Sequence, residues 1–158
     1  MILENENTIR KFENTDYFGY LFHVSYDGLM FDSFDENPDM ISVKSKFREL
    51  LESNNIKFYK GIQQAGRTDK DVSASNNILY INSKQDIKLS GLKNFKTDGL
   101  TITEIEKTMP FLELPSLIKS RHYVYKYPTD KIANTKDEIN KICESLSGEK
   151  NFKKKKKK

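Results

Sequence analysis

The sequence predicts an α+β domain, an antiparallel or mixed sheet with helices packed on one face. Three observations carry that prediction. Short aromatic or β-branched runs recur along the chain, two other stretches repeat their apolar residues at helical spacing, and the order is strand, helix, strand, strand, strand, strand, helix. A chain of 158 residues has room for one domain with a proper core.

Taken in order, YFGYLFHVSY (17–26) is aromatic-rich and β-prone, and Asp27-Gly28 behind it supplies a turn. In VKSKFRELLES (43–53), Val43, Phe47, Leu50 and Leu51 recur at helical spacing, with Ser42 placed to cap the start and Asn54-Asn55 to close the end. IKFYKGI (56–62), NILYINS (77–83) and the β-branched LTITEIEK (100–107) read as further strands, and the alternating tyrosines of RHYVYKY (121–127) predict another. DEINKICESL (137–146) puts Ile139, Ile142, Cys143 and Leu146 on one helical face, with Gly148 available to cap it. The domain is expected over 16–152, after a flexible N-terminal extension at 1–15 and before a disordered lysine tail at 153–158.

Composition bounds the function. Apolar residues at 36% and charged residues at 32% suit a water-facing domain with a modest core, and no apolar run approaches the roughly 20 residues of a membrane span. The first residues, MILENENTIRKFEN, do not read as a secretory leader, so the cytoplasm is the expected compartment. A single cysteine excludes an internal disulfide, and with only His23 and His122 besides, no metal-ligand cluster stands out. Of 27 basic side chains, six are the lysines of 153–158; the remaining 21 face 23 acidic ones, so the body is near neutral and the basic pI belongs to the tail. Such a run adds non-specific phosphate affinity at most, and a solvated, self-repelling tail is the plainer expectation.

The stretch QQAGRTDKDVSA (63–74) is different. Gly66 between two strands permits positive φ or close approach of another group. Arg67 offers a planar fork of donors for phosphate or for stacking on a base. Asp69 can be a nucleophile, a general base or a cap. By itself the tripeptide reads most simply as a turn in which Asp69 caps the backbone and pairs with Arg67. Tyr123 and Tyr125 alone read as residues packing on one sheet face.

The longer pattern AGRTDKDVSA resembles the catalytic signature of the TruA-type tRNA pseudouridine synthases, closest to the archaeal and eukaryotic form RTDKGVSA. VSYDGLMFDSF (24–34) is similar to that family's first strand and turn, SVKSKFRELL (42–51) to the helix after it, NNILYI to the strand after the motif, SRHYVYKY (120–127) to its R-x-Y-x-Y strand, and ICESLSGEKNF (142–152) to the segment that opens its second half. The resemblance covers most of 20–152 and the N-terminal half of the family only. It implies isomerisation of uridine to pseudouridine in RNA, tRNA by the family's habit, with Asp69 as the catalytic carboxylate acting on a flipped base. It implies RNA or substrate contacts from Arg67, Arg121 and Tyr123, motif support from Gly66 and Thr68, no cofactor and no metal.

Departures accompany the likeness. Asp71 replaces the motif's second glycine, where any need for positive φ would carry a cost. Ser33-Phe34 replaces a Gly-aromatic pair, Asp35 stands where glutamine is common, and Lys150-Asn151 replaces a His-Asp pair. The family's second half, which closes the cleft, is not in these residues. A homodimer or a separate second-half polypeptide is the partner this implies. The competing expectation is a truncated or degenerate member serving as a non-catalytic RNA-binding or assembly module.

Overall fold

The computed structural model describes residues 15–150, so the expected N-terminal extension falls almost wholly, and the lysine tail entirely, outside the described residues. The chain divides into two compact units with the boundary between Arg121 and His122. Among the described residues no helix is long and apolar enough to cross a membrane.

The first unit is a five-stranded antiparallel sheet in the order β2-β3-β1-β5-β4, built from β1 (Phe18–Tyr26), β2 (Tyr59–Gln64), β3 (Ala74–Ser83), β4 (Lys96–Thr97) and β5 (Leu100–Thr108). β1 is central, hydrogen-bonded to β3 on one side and β5 on the other. Its alternation sorts the side chains. Tyr20, Phe22, Val24 and Tyr26 face the main core with Leu79 and Ile81 of β3 and Leu100 and Ile102 of β5. Helix α1 (Val43–Ser53) covers this face with Val43, Phe47, Leu50 and Leu51, and the Phe22 and Phe47 rings meet edge-on at 5.1 Å. The helix starts where Ser42 was expected to cap it. The Ser45 amide donates to the Ser42 hydroxyl at 3.0 Å and the Ser42 amide to the Ser45 hydroxyl at 2.9 Å. Asn54 caps its end, and Asn55 turns the chain with φ 56°.

The opposite face is covered at one end by Leu112 and by Leu114 of the short helix α2 (Leu114–Leu117), which cluster with Leu21 and Tyr80. The buried Tyr80 hydroxyl accepts from the Leu112 amide and lies within hydrogen-bond reach of Asn82 and the Met109 carbonyl. Burial pushes its pKa up to about 12, against the pull of the neighbouring backbone amides.

Two boundaries move. β2 begins at Tyr59 rather than Ile56, because the Ile56 amide still bonds back to Leu51 and the Lys57 amide is taken by the Gln85 side chain. β3 begins at Ala74 rather than Asn77, carrying Ser75 and Asn76 into the strand.

One expectation is overturned. Residues 121–127 form no strand. Among the described residues no ladder pairs with them, and Tyr123, Tyr125 and Tyr127 stand 56%, 90% and 66% exposed. Alternating tyrosines suit a strand, but a strand exists only where another offers its backbone groups. The second unit contains the expected last helix, α3 (Lys136–Leu146), capped by Thr135 with Glu138 returning the bond, and followed by Gly148 at φ 86°.

Candidate active site

The stretch 65–73 leaves β2 and enters β3 at the end of the sheet where β1 runs into Asp27-Gly28. β1 is bulged there against both neighbours, between Val24 and Tyr26 towards β3 and between His23 and Val24 towards β5. Such irregularities turn the strand end and free its last residues to bond sideways into a loop.

That loop is braced from both ends. Upstream of Asp69, the Asn77 side-chain Nδ2 donates to the Gly66 carbonyl at 2.8 Å and to the Tyr26 hydroxyl at 3.1 Å, while Tyr26 and Thr68 share a hydroxyl hydrogen bond of 3.0 Å. Downstream, the Gly28 amide donates to the Ser73 hydroxyl at 3.0 Å, and that hydroxyl reaches Asp27 at 3.4 Å. A Cβ on Gly28 would stand 2.4 Å from the Val72 carbonyl carbon, so the turn needs glycine to press this close. Between the braces the Val72 amide donates to the Asp69 carbonyl at 3.3 Å, and Asp71 takes φ 64°. Asp71 thus adopts the left-handed conformation that the glycine of the resembling motif accepts without strain.

Asp69 itself is exposed, and among the described residues its carboxylate carries no ion pair and no side-chain hydrogen bond. The expectation that Arg67 pairs with it, or that it caps the turn with its side chain, does not match this geometry. Arg67, 70% exposed, instead reaches Asp35 at 3.4 Å. Asp35 is also bound by Lys44 at 2.7 Å. Burial pushes the Asp35 carboxyl up, but the Lys44 ammonium and the Arg67 guanidinium outweigh it and hold the group below its ordinary range.

Arg121 bonds the Ala65 carbonyl through Nε at 3.0 Å and through Nη2. Its side chain lies against Gly66, where a Cβ would stand 2.8 Å from Nε and the arginine would have to shift to admit it. Gly66, Arg67, Thr68, Asp69 and Arg121 therefore gather in the first unit. Tyr123 belongs to the second unit and is more than half exposed.

Several partners escaped the sequence reading. Tyr26, Asn77, Asp27 and Ser73 brace the loop, and the only signal was a pair of amides, Asn76-Asn77, at the start of an apolar strand. A group able to hold a metal ion also assembles: His23, Glu104 and Glu106 place ligand atoms within 4.8 Å of one another across β1 and β5. His23 is engaged there by Glu106 at 2.9 Å and by Asn76 at 3.0 Å. His23 lies on β1 and the two glutamates on β5, about eighty residues further along, so the three form no ligand spacing in the sequence.

No family model matches the chain. It is 40% identical over 65 residues to the tRNA pseudouridine synthase A of Picrophilus torridus, covering 41% of this chain and 25% of that protein. It is 36% identical over 73 residues to the protein of the same name from Borrelia duttonii, covering 46% of this chain and 29% of the relative. A longer, weaker match reaches the tRNA pseudouridine synthase A 1 of Bacillus cereus, 24% identical over 119 residues, covering 70% of this chain and 47% of the relative. The chain spans between a quarter and a half of the length of the relatives it matches. Over the part that these matches cover, the chain is related to the TruA-type tRNA pseudouridine synthases.

Proposed function

We propose that this chain supplies the catalytic aspartate of a cytoplasmic tRNA pseudouridine synthase, and that Asp69 is that residue. The observation that carries the reading is the solvent-facing carboxylate of Asp69 on a loop clamped at Thr68 and at Ser73. The names of the relatives supply the reaction. Isomerisation breaks the N1–C1′ bond of a uridine, turns the base and joins C5 to C1′; the C5 proton is lost and N1 gains one. A carboxylate poised at the extruded nucleotide can form or steer the transient adduct without a redox partner. A rigid loop matters because the carboxylate must meet one atom of a base that has left its stack.

In this reading Arg67 contacts phosphate or fills the vacated stack, and Tyr123 stacks on the flipped uracil. Arg121 supports the motif through the Ala65 carbonyl and turns its remaining N–H groups to RNA. The partner is tRNA, with a second copy or a second-half polypeptide completing the cleft.

The test is tritium release from C5-labelled uridine in a tRNA transcript by the full chain and by Asp69→Asn. Release that falls at least ~100-fold in a variant of unchanged thermal stability is the expected result. Equal release from both proteins removes Asp69 from the chemistry.

A further inference from the structure

Resting on the reading that Arg67 serves RNA, we infer that Asp35 is an internal counter-ion that occupies Arg67 until a phosphate of the RNA takes its place. The two ends of the contact differ in how firmly they are held. Asp35 is fixed. Its carbonyl accepts from the Ser33 hydroxyl at 2.7 Å and from Asn37 at 3.2 Å, its neighbour Phe34 is buried, and its carboxylate is bound at 2.7 Å by Lys44, a side chain only 13% exposed. Lys44 is itself seated near the Phe34 ring, 5.9 Å from its centre.

Arg67 is the movable end. Its backbone lies between the braced Gly66 and Thr68, yet its side chain is largely exposed and touches Asp35 through one nitrogen at 3.4 Å. A single long contact between exposed groups is a weak one. A phosphate offers the guanidinium two parallel bonds and replaces it readily. When Arg67 leaves, Lys44 still neutralises Asp35, so the exchange strands no carboxylate without a partner. The contact turns the guanidinium to Asp35 rather than to Asp69, whose carboxylate is exposed. Asp35 thereby sets how much of Arg67's charge a ligand receives.

The experiment measures the affinity of the full chain for an unmodified tRNA transcript by fluorescence anisotropy, with Asp35→Asn, Arg67→Ala and the double variant. Asp35→Asn is expected to tighten binding about two- to five-fold, the range of a surface ion pair. Arg67→Ala weakens binding, and the double variant matches Arg67→Ala because the gain requires the arginine. A gain that survives in the double variant, or no gain at all, overturns the inference. A second arm needs no RNA: the Asp35 carboxyl is titrated by carbon-13 NMR. Arg67→Ala is expected to raise its midpoint; an unchanged midpoint denies the pair and overturns the inference while leaving the RNA reading standing. No tRNA binding by any variant, with the NMR shift present, overturns the RNA reading and the exchange with it.

Discussion

α1 and α3 are matched in local design and opposite in fate. Each is 11 residues long, each opens with a reciprocal capping box, and each repeats apolar residues along one face. α1 buries Val43, Phe47, Leu50 and Leu51 under the sheet, whereas α3 buries nothing, leaving Ile142 50% and Leu146 64% exposed. The strand-like stretches divide in the same way. Tyr20 in β1 is fully buried, while Tyr125 in RHYVYKY stands open to solvent. The pattern of a segment specifies a form and a stripe. The stability it returns depends on whether another element covers the stripe, because an isolated helix of this length is marginal in water.

The comparison breaks most visibly at the apolar stripes. Phe47→Ala removes a buried ring packed on Phe22 and is expected to cost about 3–5 kcal/mol in urea unfolding. Ile142→Ala is expected to stay within about 0.5 kcal/mol. Similar losses at both positions would mean that α3 is covered in solution as α1 is here.

The tyrosines sharpen it. Tyr26→Phe takes the hydroxyl from between Thr68 and Asn77 and is expected to cost about 1–2 kcal/mol. It should also lower tritium release, since the brace before Asp69 is loosened. Tyr125→Phe is expected to leave stability unchanged in the same urea titration.

The smallest effect is in acid. Glu36 is held below its ordinary value of 4.5 chiefly by its hydrogen bond from Arg48, and Glu138 below the same value chiefly by the Thr135 amide. A depressed carboxyl contributes stability that is fully present above the unfolded value and lost as pH falls through the folded one. Between about pH 6 and pH 3, Glu36→Gln is therefore expected to flatten the decline of the global Tm slightly. Glu138→Gln is expected to flatten only the decline of helical circular dichroism. A change in global Tm from Glu138→Gln would tie α3 to the cooperative unit.

Much of this was legible along the chain. Ser42 capped α1 as expected, Gly148 follows α3 at positive φ, and the β1, β5 and α1 patterns emerged close to their expected limits, because each rests on contacts between neighbours in sequence. The candidate site was legible as a list, Gly66, Arg67, Thr68 and Asp69, but not as an arrangement. The expected Arg67–Asp69 pair gave way to Arg67–Asp35, because nothing in the sequence around either residue shows that folding brings Asp35 and Arg67 together.

The sequence by itself determined the alternation of β1, the capped helices, the turn at Asp27-Gly28 and the unusual chemistry of residues 66–69, since propensity, periodicity and capping act over a few residues. Only the tertiary structure decided that Tyr26 and Asn77 brace Thr68 and Gly66, that Asp35 holds Arg67, and that RHYVYKY forms no strand. Those outcomes depend on which backbone edges and side chains meet across long loops, and no local pattern encodes the meeting.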